Sequence, residues 1–179
     1  MLKIYIVEDN AAELANVREF LAQRCPQMEI AGAAGEMEEA FEGIRRSRPD
    51  LLISDINIIG GRCYELLARL AELGQLAGLR IVFMTLFRDF DLVREELAHA
   101  PVDFLEKPFT ADDLQRAVEK VAQIPVTSQT HRQVERLLEL LSGEGIPPPL
   151  PLLLGNPLPE ARTARSLREI LRRWFRRRA

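Results

Sequence analysis

Four places in this chain put a chemically competent side chain at the end of an apolar run. Glu8-Asp9 follow Leu2–Val7, Asp55 follows Leu51-Leu52-Ile53-Ser54, Thr85 follows Arg80–Met84, and Lys107 comes just after Val102–Leu105. Brought to one edge, these residues supply three carboxylates, a hydroxyl and an ammonium. Three crowded acids repel one another unless a cation neutralises them, and hard oxygen donors with vacant positions suit Mg²⁺, which keeps waters and recruits a phosphate. An ionised Asp is a competent nucleophile toward phosphorus and forms an aspartyl-phosphate. The charge on a transferring phosphoryl group calls for Mg²⁺ and a Lys around it, with a hydroxyl donor nearby.

The elements needed to bring the four places together can be read from periodicity. Strands are expected at Leu2–Val7, Met28–Ala33, Leu51–Ser54, Arg80–Met84 and Val102–Leu105. Between and after them, helical spacing of apolar residues covers Ala11–Arg24, Met37–Arg46, Tyr64–Leu73, Asp89–Ala98 and Ala111–Ala122, the last capped by Thr110. Five repeats of strand then helix predict an α/β fold: a doubly wound, five-stranded parallel sheet covered on both faces, because parallel strands need helical crossovers. Ligands of such sheets sit at the carboxyl ends of the strands, where the four places fall.

With these residues in order, residues 1–124 resemble the receiver domain of two-component response regulators, a (βα)5 flavodoxin-like fold. That family carries an acidic pair after strand 1, a phosphorylated Asp after strand 3, Thr or Ser after strand 4 and Lys-Pro after strand 5. Glu8-Asp9, Asp55, Thr85 and Lys107-Pro108 match, with separations of 46, 30 and 22 residues from Asp9 through Asp55 and Thr85 to Lys107. The resemblance implies that Asp55 is the phosphoacceptor. It implies a Mg²⁺ site from Glu8, Asp9, Asp55 and the backbone carbonyl of Asn57, and phosphoryl contacts from Thr85 and Lys107. It also implies a Thr85–Phe104 switch in which the Phe104 ring moves inward, and a Lys107–Pro108 bond that is often cis. The implied partners are a histidine kinase or phosphotransfer protein, and a second copy meeting through the fourth helix, fifth strand and fifth helix.

The chain departs from the family pattern in two places. Ile58-Ile59-Gly60-Gly61-Arg62-Cys63 replaces the usual Met-Pro and Asp-Gly loop, and the paired Gly predicts a looser loop. Leu86 and Phe87 stand where a small residue usually follows Thr85, and their bulk is expected to narrow the path of phosphodonors and attacking water to Asp55. Two other functions are weighed beside the phospho-switch. An aspartate-based phosphatase would carry an acid two residues after its nucleophile, where Asn57 cannot transfer a proton. A phosphate-independent interaction module would need none of the four places.

The chain has 179 residues and a net charge of −3. Residues 1–120 carry 14 Lys and Arg against 22 Asp and Glu, whereas residues 121–179 carry 10 against 5. No apolar run reaches the ~20 residues of a membrane span, and no signal-peptide layout opens the chain, so a cytoplasmic protein with Cys25 and Cys63 reduced is expected. His99 and His131 lack ligand spacing. After residue 124, a helical connector is expected over 125–145 with a stripe of Val134, Leu137, Leu138 and Leu141, then a Pro-rich linker over 146–160. Residues 161–179 form a basic amphipathic pattern with eight Arg, suited to an anionic membrane, an acidic protein surface or nucleic acid. No DNA-binding motif is present in the tail; a receiver cut from a transcription regulator with such a domain is the alternative.

Overall fold

The computed structural model describes residues 1–86 and 100–127, together with Arg132 and Val134. The expected helix over Asp89–Ala98, most of the connector, the Pro-rich linker and the Arg-rich segment lie outside the described residues.

The described strands are β1 (Leu2–Val7), β2 (Met28–Ala34), β3 (Leu51–Asp55), β4 (Asn57–Ile58), β5 (Gly61–Arg62), β6 (Arg80–Thr85) and β7 (Val102–Glu106). The helices are α1 (Ala11–Arg24), α2 (Met37–Ser47), α3 (Cys63–Glu72) and α4 (Ala111–Gln123). Five strands form a parallel sheet in the order β2-β1-β3-β6-β7. The order reverses between β1 and β3, so the crevice for a ligand opens at the carboxyl ends of those two strands. Glu8 and Asp55 stand at those ends.

Alternation along the strands divides the core in two. Tyr5, Val7, Leu52, Ile81, Phe83, Val102 and Phe104 face the α2–α3 side. Ile4, Ile6, Leu51, Ile53, Val82, Met84 and Leu105 face the side of α1 and α4, which meet Val17, Leu21, Leu114, Val118 and Val121. Both faces are covered, which is why the central strands read as unbroken apolar runs. Tyr5 lies flat against Gly32 and Gly43; a Cβ at either glycine would strike its ring. That contact explains a glycine inside α2, where helix propensity disfavours one.

The helix ends carry recognisable stops. The Asn10 side chain caps α1 by accepting from the Ala12 and Glu13 N–H groups at 2.9 and 3.2 Å. Thr110 caps α4 and exchanges bonds with Asp113. At the far end of α4, the Arg80 guanidinium donates to the carbonyls of Val121 and Ile124 at 3.1 and 3.4 Å.

The loop after Asp55 is not loose. Asn57 pairs with Arg62 and Ile58 with Gly61 to make a β4–β5 hairpin. Gly60 at φ 92° supplies the turn conformation that other residues resist. The hairpin is tied down on both sides: Met37 N–H donates to Ile59 O at 2.9 Å, and Cys63 N–H to Ile56 O at 2.9 Å. The glycines permit close approach here, since a Cβ on Gly61 would meet the Met37 side chain and the Glu65 carboxylate.

One residue of the expected connector belongs to the body. Val134 is 1% exposed and joins the core cluster of the α2–α3 face.

Candidate functional site

The carboxyl edge of the sheet gathers most of the predicted residues. β1 delivers Glu8, whose N–H donates to Ala34 O on β2 at 3.0 Å. β3 delivers Asp55, and β6 delivers Thr85, which is 5% exposed. Lys107 follows β7; its N–H donates to Thr85 O at 2.6 Å and its bond to Pro108 is cis.

The Lys107 ammonium is the centre of the site. Its Nζ donates to Glu8 Oε2 at 2.7 Å and to Asp55 Oδ2 at 2.6 Å, and it pairs with Glu13 Oε2. The remaining oxygens are also held: Asn10 N–H donates to Glu8 Oε1 at 3.1 Å, and Asn57 N–H to Asp55 Oδ1 at 3.0 Å. Glu8 is 2% exposed and Lys107 9%. Burial pushes the Glu8 carboxyl above its ordinary value, against the pull of its bonds from Lys107 and Asn10. Burial would lower the Lys107 ammonium, but its bonds to Asp55, Glu13 and Glu8 outweigh this and hold it above the usual lysine range. The Lys is therefore charged at neutral pH.

Among the described residues, the carboxylates that converge closely enough to share a cation are Glu8, Glu13 and Asp55, with oxygens within 4.8 Å of one another. Asp9 is not in that group; it is exposed, as expected for the neighbour of an inward-facing residue in extended chain. Glu13 was not among the residues read from the strand ends. It lies in the first turn of α1, three residues past its cap, and α1 begins at the same edge where β1 stops. An acid in the first turn of the first helix is thus the signal that would have found it.

Of the other expected contributors, Phe104 and Leu86 are among the described residues. Phe104 is already inside: it is 1% exposed and stacked on Phe83, with ring centroids 5.2 Å apart. β7 aims Phe104 at the α2–α3 core. Leu86 is 68% exposed, and Phe87 lies outside the described residues. On the outer side of β7, an open cleft of about 550 Å³ is lined by residues including Phe104, Glu106, Pro108, Arg116 and Lys120.

The family model of the response regulator receiver domain matches residues 4–119. The chain belongs to this family. Receiver domains are phosphoacceptor switches that bind Mg²⁺ at acidic residues and interact with histidine kinases or phosphotransfer proteins, and the hard carboxylates of Glu8 and Asp55 at the strand ends fit such a cation. Among curated proteins, the chain is 28% identical over 150 residues to the sensory transduction protein LytT of Bacillus subtilis, covering 82% of this chain and 60% of LytT. It is 32% identical over 113 residues to the regulatory protein LuxO of Vibrio cholerae, covering 63% of this chain and 24% of LuxO. The chain spans about half the length of the curated relatives it matches. The chemotaxis response regulator CheY4 of Vibrio cholerae shares the receiver fold, with TM-score 0.58 at 23% identity, covering 68% of this chain and 98% of that one.

Burial governs the two thiols of this receiver. Cys25 and Cys63 are free and buried, and burial pushes the Cys63 thiol up to about 12. Among the described residues no helix is long and apolar enough to cross a membrane.

Proposed function

We propose that this receiver is the phosphorylated component of a two-component pathway, with Asp55 as its acceptor. The observation that carries the reading is the Lys107 ammonium, 2.6 Å from Asp55 and 2.7 Å from the buried Glu8. It aims one cationic donor at the place a phosphoryl group would occupy.

In the forward step an Asp55 oxygen attacks phosphorus, and the bond from phosphorus to the donor's nitrogen or oxygen breaks. The leaving group departs with that electron pair and takes up a proton. In the discharging step water attacks phosphorus and loses a proton, the Asp55–phosphorus bond breaks, and Asp55 leaves as carboxylate with inorganic phosphate released. Glu8, Asp55, Asp9 and the Asn57 carbonyl would hold Mg²⁺, which when bound supplies charge neutralisation of the phosphoryl oxygens. Lys107 and Thr85 contact those oxygens, and Leu86 follows Thr85 at the approach. Asn57 offers no proton two residues past the nucleophile, which favours a switch over a turnover phosphatase.

The consequence of phosphorylation passes through Thr85 to β7 and the cleft beside Phe104, the face proposed to meet a second copy or a downstream partner. The Arg-rich segment is proposed to engage an anionic surface, and a DNA-binding domain beyond the receiver is the alternative output.

Mass spectrometry after incubation with Mg²⁺ and acetyl phosphate tests the reading. A stoichiometric gain of about 80 Da, the mass of one phosphoryl group, is expected in the parent chain and absent in Asp55→Asn or without Mg²⁺. A parent chain that gains no mass, or an Asp55→Asn variant that gains as much, overturns it.

A further inference from the structure

Glu13 is the one acid of the site that the phosphoacceptor reading leaves without a task. An ammonium has three N–H donors, and each of the three on Lys107 has a carboxylate within reach: Glu8, Asp55 and Glu13. A phosphoryl oxygen on Asp55 needs one of those donors, so one carboxylate must give way. The three are not equally free to do so. The Glu8 side chain is 1% exposed, that of Asp55 19% and that of Glu13 43%. Glu8 is also held by the Asn10 N–H, and stripping a counterion from a buried carboxylate is strongly unfavourable. Asp55 carries the incoming group. Glu13, on the rim of the site at the start of α1, can return to water at little cost.

We infer that Glu13 is the exchangeable counterion of Lys107, occupying its third donor until a phosphoryl oxygen displaces it. The inference deepens the phosphoacceptor reading and rests on it. Glu13 is then a positioning residue with a second effect: its charge opposes the approach of an anionic donor and the residence of a phosphoryl group. It acts as a brake built into the first turn of α1.

The test compares phosphorylation rates of the parent chain, Glu13→Gln and Glu13→Ala, with Glu19→Gln as a control that removes one exposed charge farther along the same helix. Acetyl phosphate and the less charged phosphoramidate serve as donors, each with Mg²⁺. Both Glu13 variants are expected to react roughly threefold to tenfold faster, as fits loss of one solvent-screened like charge. The gain should be larger with acetyl phosphate, and Mg²⁺ affinity by calorimetry should stay within about twofold of the parent. A structural role alone would not distinguish the two donors. Unchanged or slower reaction in both Glu13 variants, or an equal gain in Glu19→Gln, overturns the inference while leaving Asp55 as acceptor. A tenfold loss of Mg²⁺ affinity in Glu13→Gln overturns it too, making Glu13 a metal ligand. A parent chain that takes no phosphate from either donor brings down the acceptor reading and this inference together.

Discussion

Lys107 Nζ lies 2.6 Å from Asp55 Oδ2 although 52 residues separate them in the chain. The contact closes across one intervening strand: Asp55 ends β3, β6 lies between, and Lys107 follows β7. The Lys107 N–H donating to Thr85 O fixes the distance from below. The proposed acceptor and the buried Glu8 are therefore linked through one ammonium.

Replacing that ammonium should expose the link. Lys107→Met removes the partner of Glu8, and breaking a buried pair costs about 3 kcal/mol. Glu8 titrates near 4.5 when unperturbed, and burial raises it in the folded chain. The folded form then binds the proton more tightly than the unfolded form, so stability is greatest below the unfolded value and falls as pH rises through the folded one. Urea unfolding of Lys107→Met should show a steeper loss of stability above pH ~4.5 than the parent; parallel profiles would remove Glu8 from this balance.

The capping box of α4 gives the opposite sign. Asp113 accepts from Thr110 and pairs with Arg116, and these contacts hold its carboxyl down to about 2, below its ordinary 3.8. Its contribution is present above the unfolded value and is lost as pH falls through the folded one. Thr110→Ala should lower stability by about 1 kcal/mol at neutral pH. Asp113→Asn should flatten the acid limb between pH 4 and 2. A parent-like acid limb in Asp113→Asn would refute the assignment.

The hairpin after Asp55 should resist enlargement of its glycine. Gly61→Ala would press against the Met37 side chain and the Glu65 carboxylate, and overpacking of this kind costs about 1–3 kcal/mol. A thermal midpoint unchanged from the parent would show that the two side chains yield freely.

Leu86→Ala should shorten the life of the phosphoryl group, since it opens space next to Thr85 for in-line water. Decay followed by mass spectrometry after donor removal measures it. An equal or longer lifetime would show that the exposed Leu86 side chain does not guard the path.

Most of the fold was legible because a parallel sheet buried on both faces writes itself as short apolar runs, and the strand ends then mark the ligand edge. Leu51–Ser54 and Arg80–Met84 are such runs, and their observed strands extend by only one residue, to Asp55 and Thr85. What was not legible depended on contacts between distant segments. Gly60-Gly61 read as slack because glycine's freedom was visible while the backbone bond from Met37 to Ile59 was not. Glu13 was not singled out, since only the placement of α1 beside β7's end brings it to Lys107. The burial of Phe104 against Phe83 likewise depends on the register of β6 with β7.

The grip of Arg80 on Val121 and Ile124 settles where the chain takes its leave. α4 starts near Thr110 on the rim that carries Asp55 and spends 13 residues, about 20 Å at 1.5 Å each, returning to the opposite rim. β6 spans the same divide, with Arg80 at one end and Thr85 at the other. Ile124, where α4 is capped, thus sits a full sheet's breadth from Asp55. Between Asp55 and that exit run β6 and α4, joined at the far end by the Arg80 guanidinium.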